Sequence, residues 1–150
     1  MTYSPILIPV VALVAWTLVI MLWMLVTRLS EFKRLGVTLT NIPDGARGVD
    51  LEGKAEARAQ WKSHNYNHLM EQPTIFYAIA ITLALMDFGS GLNYWLAWGY
   101  VGFRVVHSLI QCTVNTVRYR LALFSLASAC LFGLTIHAGL KVLHDCGLIG

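Results

Sequence analysis

Charged residues are scarce in this sequence. Of its 150 residues, 13% are Asp, Glu, Lys or Arg, about half the usual share of a soluble domain, whereas 57% are hydrophobic. Four apolar segments occupy nearly the whole chain and leave no room for a separate soluble domain. We therefore predict an all-α fold of one domain, residues 1–150, forming an integral membrane four-helix bundle. Its expected helices cover approximately residues 5–34, 54–86, 91–117 and 120–144.

Cysteine is also scarce, and its spacing contains no paired motif. The three cysteines, Cys112, Cys130 and Cys146, form no Cys-x-x-Cys motif, so neither a disulfide framework nor a zinc knuckle is expected. The net charge of +3 comes without a continuous basic face, which argues against nucleic-acid binding.

The basic residues are concentrated on one side of the predicted membrane. No charge interrupts the segment Ile6 to Val26, which we interpret as a retained transmembrane helix rather than a cleaved signal peptide. By the positive-inside rule, the first and third connections face the cytoplasm and both termini lie on the other side. A retained first helix with positive inner connections suits a bacterial inner membrane. The basic residues of those two connections are Arg28, Lys33, Arg34, Arg47, Lys54, Arg58, Lys62, Arg118 and Arg120.

Polar residues enter two of the apolar segments. At 100° per residue, His64, Asn67 and Glu71 share one face of the second helix. On the third helix, polar residues recur at spacings of three and four, from Arg104 to Asn115. A short turn, Asp87 to Gly91, makes these two helices antiparallel neighbours, so the two faces predict a polar site in the inner half of the bundle.

One interpretation of this site is purely structural, and another is a metal centre. An arginine inside a membrane helix costs about 2.5–3.5 kcal/mol, so Arg104 needs a partner, and Glu71 is the best candidate on the neighbouring helix. Such a bridge would simply hold the bundle together. His64, His68 and Glu71, with His107, have a spacing that metal ligands use, but the site offers a single carboxylate. We therefore predict no metal.

A third interpretation is the binding of an anionic, polar cosubstrate beside a lipid-like one. Arg104 and Arg120 would supply positive charge, Asn67 and Gln111 amide contacts, and Glu71 a partner for an amine. A thiol bound near Arg120 would have its thiolate favoured, because a neighbouring cation lowers the pKa of a thiol.

Two further segments, an aromatic cluster and the first connection, allow structural predictions. Tyr94, Trp95, Trp98 and Tyr100 should form an aromatic belt at the outer interface. The connection between the first two helices, about residues 40–53, is either a solvated connector or a lid over the site.

The order of these motifs resembles the MAPEG family, the membrane-associated proteins of eicosanoid and glutathione metabolism. The resemblance rests on four helices, a long first inner connection, an Asn-x-x-x-Glu-x-Pro run from Asn67 to Pro73, and Arg-x-x-His at Arg104 and His107. Arg120 follows sixteen residues after Arg104, at the position of the family's thiolate-stabilising arginine. The family usually spaces the asparagine and glutamate by three residues, whereas here they are four apart.

The resemblance implies a homotrimer that binds glutathione as a cosubstrate between neighbouring subunits, near the cytoplasmic side. The expected function is a glutathione-dependent transferase or peroxidase acting on hydrophobic electrophiles or lipid hydroperoxides. The alternative is a non-enzymatic member that binds lipid or serves as an accessory subunit of a larger membrane complex. Arg120 is the predicted catalytic residue. The predicted glutathione-binding residues are Asn67, Glu71, Arg104, His107 and Gln111.

Overall fold

The computed structural model describes residues 3–38 and 40–148 and contains four long helices in that part of the chain. They are α1 (Leu7–Arg34), α2 (Ala57–Leu85), α3 (Leu92–Thr113) and α4 (Val117–Asp145), and a short 3-10 helix, Gly48–Leu51, lies in the first connection. The described residues contain no strand, so the all-α prediction is confirmed. The predicted helix ranges lie within three residues of these bounds, except that α3 ends four residues earlier than predicted. Arg118 and Arg120 therefore lie in the first turn of α4 and not in the connection before it.

Helix α1 buries only a narrow stripe of its surface. Ile6 at its start, then Leu13, Thr17, Ile20 and Met24, are buried at spacings that keep them on one side. The remaining sides expose large apolar groups to the surroundings of the chain. In the described part of the chain, α1 and α4 are the two helices long and apolar enough to cross a membrane. A surface of this kind suits lipid rather than water.

Helices α2 and α3 pack through their central apolar residues. Phe76 of α2 stacks on Tyr100 of α3 with ring centroids 4.4 Å apart, and both side chains are fully buried. Leu69 and Leu83 continue this face of α2 at seven-residue spacing. The placement of Tyr100 in an aromatic belt was therefore wrong, because its ring belongs to the core.

The turn between α2 and α3 closes against the beginning of α1. A Cβ atom placed on Gly89 would collide with the Ser4 hydroxyl and would lie 2.5 Å from Cγ2 of Ile6. Only a residue without a side chain fits this approach, so Gly89 fixes one end of the bundle.

At the opposite end of the bundle lie the connection between α1 and α2 and the connection between α3 and α4, each held by hydrogen bonds. The carboxylate of Glu31 in α1 accepts hydrogen bonds from the Arg34 side chain, at 2.6 Å, and from the backbone N–H of Glu56 at 2.9 Å. Asn115 ends α3 with φ of 52° and donates its N–H to the Ile110 carbonyl at 2.7 Å. Asparagine tolerates this left-handed conformation better than most residues, which explains why the chain turns here.

Candidate functional site

The most deeply buried charge of the protein is Arg104, on the face of α3 that packs between α2 and α4. Its side chain has no exposed surface. The guanidinium Cζ lies 5.6 Å from the ring centre of Tyr100 and 5.2 Å from that of Phe124. These two aromatic rings therefore contribute cation–π attraction in a position that water does not reach.

The hydrogen-bond partner of Arg104 is Gln72, not Glu71. Nη2 of Arg104 donates to the Gln72 side-chain oxygen at 2.5 Å, and Nε donates to the Tyr100 hydroxyl at 3.3 Å. Gln72 in turn donates to Ser128 of α4 at 2.8 Å. The expected bridge between Arg104 and Glu71 was wrong, because Glu71 lies on a different side of α2. Dipoles rather than a carboxylate compensate the buried charge.

A second polar chain begins at His107. Its Nδ1 donates to the backbone carbonyl of Arg120, 3.0 Å away, and its Nε2 lies 3.2 Å from the Gln111 side-chain oxygen. The same oxygen accepts a hydrogen bond from Asn65 of α2 at 2.9 Å. Asn65, His107 and Gln111 are all buried. Together they tie α2 to the beginning of α4, where Arg120 lies.

Arg120 lies at the open end of this arrangement and is partly exposed. Its Nη1 donates to the side-chain oxygen of Asn115 at 2.7 Å. Its Nε is buried and has no hydrogen-bond partner among the described residues. The turn residue that ends α3 therefore holds one side of the guanidinium and leaves Nη2, which forms no hydrogen bond with a described residue, available for a bound anion.

Asn67 and Glu71 face away from the bundle to which they belong. Both are exposed, and 71% of the Glu71 side chain is accessible in the single chain. His68 lies between this exposed surface and the interior: its Nδ1 is 3.3 Å from a Glu71 carboxylate oxygen, and its ring is 5.1 Å from that of His107. The structure thus divides the predicted glutathione-binding residues into an exposed pair and a buried group formed by Arg104, His107 and Gln111.

The alternative metal centre is not assembled in the described part of the chain. No group of three or more His, Cys, Asp or Glu side chains is placed there to hold a metal ion. His64 instead has its Nε2 3.2 Å from a carboxylate oxygen of Glu52, in the connection that precedes α2.

Sequence reasoning missed Asn65, Gln72, Tyr100 and Ser128. The signal for the two α2 residues was present in the heptad spacing of Leu69, Phe76 and Leu83, which marks the buried side of that helix. Asn65 and Gln72 lie on or beside that side. The polar residues on the opposite side were more conspicuous and drew the prediction away from it.

Comparison with known proteins gives one match. The model of the MAPEG family matches residues 6–140, which is most of the chain. No curated protein and no solved structure matches the sequence.

Proposed function

The chain belongs to the MAPEG family, and on this premise we propose that it is a glutathione-dependent transferase or peroxidase. Family membership makes it a membrane protein. Its proposed substrates are hydrophobic electrophiles or lipid hydroperoxides that reach the site from the bilayer, with glutathione as the cosubstrate.

The observation that carries this proposal is the state of Arg120. Its guanidinium is fixed on one side by Asn115, and its Nη2, which is not buried, forms no hydrogen bond with a described residue. The backbone carbonyl of the same residue is held by His107. A cation that is positioned in this way, with donors to spare, favours a thiolate placed beside it.

The proposed role of Arg120 is to stabilise the sulfur anion of bound glutathione. The thiol proton leaves to solvent, and the sulfur electron pair then forms a carbon–sulfur bond with an electrophile while the leaving group departs with its own pair. In the peroxidase reaction, two glutathione molecules are oxidised to the disulfide and the hydroperoxide is reduced to an alcohol and water. Stabilising the thiolate accelerates either reaction, because the thiolate is the nucleophile.

The proposed assembly is a homotrimer with glutathione between neighbouring subunits. The support lies in α2, where Asn67 and Glu71 are exposed in the single chain although they precede an apolar membrane segment. Such polar groups need a polar partner at the membrane surface, and an adjacent subunit with bound glutathione supplies one. Asn67 and Glu71 would then contact glutathione directly.

We assign Arg104, His107 and Gln111 a positioning role within this proposal. Arg104 has no exposed surface, and His107 and Gln111 are each 3% exposed. Arg104 donates to Gln72, Gln111 accepts from Asn65, and His107 donates to the Arg120 backbone. Nη1 of Arg104 is buried without a partner among the described residues. They would act on glutathione by fixing α2 and α4 relative to each other.

The proposed location is a bacterial inner membrane, with both termini on the non-cytoplasmic side. The support is the concentration of basic residues at one end of the bundle, which favours a cytoplasmic position for Arg120 and the α1–α2 connection. Cytoplasmic glutathione would then have direct access to the site.

The test is an activity measurement on protein reconstituted in lipid, with glutathione and either 1-chloro-2,4-dinitrobenzene or cumene hydroperoxide. Arg120→Ala should lower the rate by at least tenfold. Arg118→Ala is the matched control, since Arg118 is an exposed arginine two residues away that donates to Tyr119 instead. Equal rates for the wild type and Arg120→Ala would contradict the proposal, and saturable lipid binding without turnover would favour the non-enzymatic alternative.

A further inference from the structure

A cavity of about 740 Å³ lies beneath the connection between α1 and α2. Its walls come from the last turns of α1 and from residues between Val37 and Lys54, and none of the buried polar residues around Arg104 lines it. The volume falls within the range of small-molecule sites. The cavity is therefore separate from the proposed glutathione site and is large enough for a ligand.

Three cations line this cavity: Arg28, Arg47 and Lys54. None of them forms an ion pair with a carboxylate of the described chain. Arg28 is held in place, because its Nη2 donates to Ser63 at 2.8 Å and a Cβ atom on Gly48 would lie 2.6 Å from the same nitrogen. The connection thus closes directly over a guanidinium that has no anionic partner in the described chain.

Two carboxylates, Asp44 and Asp50, also line the cavity. One oxygen of Asp50 accepts the backbone N–H of Arg47 at 2.6 Å and so stabilises the short 3-10 helix. The three cations outnumber the two carboxylates, so the lining carries a net positive charge. The balance of charge favours a ligand with an anionic group.

The rest of the lining is apolar and includes Phe32, Val37, Ile42 and Pro43. Arg28 and Phe32 follow directly after the uncharged segment that ends at Val26. Cations that follow such a segment lie at the level of the lipid headgroups. The cavity therefore combines an anion-binding wall with an apolar wall at the membrane surface.

We propose that this cavity binds the phosphate headgroup of an amphiphile, with Arg28, Arg47 and Lys54 around the phosphate and Phe32 and Ile42 against the first carbons of its chain. The source is either a phospholipid of the adjacent leaflet or a soluble organic phosphate, since both present the same anion. This site is independent of glutathione, so it stands or falls separately from the proposed enzymatic activity.

The experiment measures binding to the detergent-purified full chain by calorimetry, with two probes. Dihexanoylphosphatidic acid, kept below its micelle concentration, represents the lipid, and glycerol 3-phosphate represents the headgroup alone. We expect saturable binding of the lipid probe. Arg47→Gln with Lys54→Gln should weaken it by about twenty-five-fold, at roughly fivefold for each cation near a headgroup. Ile42→Trp, which fills the cavity without changing its charge, should also abolish binding.

The matched control is Lys33→Gln with Arg58→Gln, which removes two exposed cations that do not line the cavity. This variant should bind within twofold of the wild type. If both double variants lost the same affinity for the lipid probe, the attraction would belong to the surface in general and the proposal would be overturned. Full binding by Ile42→Trp, or no saturable binding of either probe, would also overturn it. Equal affinity for the two probes would support the site and identify a soluble phosphate as its ligand.

Discussion

The hydrogen bond from Arg120 to Asn115 predicts a measurable effect on the thiolate of bound glutathione. Asn115 has two functions, since its φ of 52° ends α3 and its side-chain oxygen holds Nη1 of Arg120 at 2.7 Å. Asn115→Gly keeps the backbone conformation and removes the side chain that makes the contact. Asn115→Ala removes the oxygen and adds backbone strain of about 1–2 kcal/mol. The pair of variants therefore separates the contact from the turn.

The size of the effect follows from the strength of the lost contact. A hydrogen bond to a charged group contributes about 1.5–3 kcal/mol, and partial exposure of Arg120 reduces this to about 1 kcal/mol. If Arg120 stabilises the thiolate, a less fixed guanidinium stabilises it less, so the pKa of the bound thiol rises by about 0.7. The thiolate fraction at a fixed pH below this pKa then falls by about fivefold.

The assay is a pH titration of the thiolate ultraviolet band of glutathione bound to the protein, with thermal unfolding measured in parallel. Asn115→Gly should shift the titration upward and lower the unfolding temperature by a few degrees, as expected for a lost contact of about 1 kcal/mol. Asn115→Ala should show the same shift and unfold earlier still. A titration of Asn115→Gly that overlays the wild type would show that the contact has no part in placing Arg120.

Three further predictions concern packing and orientation. Gln72→Leu should destabilise the protein by about 2 kcal/mol or more, because it leaves Arg104 buried without its best acceptor. Glu71→Gln should change the free energy of unfolding by less than about 0.5 kcal/mol. If denaturant titrations instead showed the larger loss for Glu71→Gln, Glu71 rather than Gln72 would be the partner of Arg104. Gly89→Ala should cost about 1–3 kcal/mol through its clash with the start of α1, while Gly102→Ala, which has open space around it, should be stabilising by about 0.5–1 kcal/mol in the same assay. A membrane-impermeant maleimide should label the exposed Cys146 in intact spheroplasts if the C-terminus is non-cytoplasmic, and labelling only after permeabilisation would reverse the proposed orientation.

The polar face of α3 could be predicted from the sequence because its polar residues follow one helical spacing. Arg104, His107, Ser108 and Gln111 recur at spacings of three and four, and the structure buries all four. No second polar face exists on this helix to compete with them. Periodicity alone was therefore sufficient to place them together.

The orientation of α2 could not be read in the same way, because polar residues occur on two of its sides. His64, Asn67 and Glu71 do share one side, as the spacing predicted, but that side is exposed in the single chain. The buried side carries Asn65, with Gln72 beside it. Which side packs inward is decided by apolar contacts such as Phe76 on Tyr100, and these depend on the neighbouring helix.

The partners of Arg104 also could not be predicted from the sequence alone. The sequence indicates that a buried guanidinium needs compensation, and Glu71 on the neighbouring helix is the obvious partner. The structure uses an amide oxygen, a phenol and two aromatic rings instead. Glutamine and tyrosine are common residues, so their type alone does not mark them as partners of an arginine, even where the heptad spacing of α2 indicates which side is buried.

The central claim is that Arg120 stabilises the thiolate of bound glutathione. The most direct measurement is a glutathione titration of the wild-type protein at constant pH, followed by the thiolate ultraviolet band and repeated with Arg120→Ala and Arg118→Ala. We expect a saturable band in the wild type and in Arg118→Ala, and at least a tenfold weaker band in Arg120→Ala. Absence of the band in the wild type, or an equal band in all three proteins, would contradict the claim.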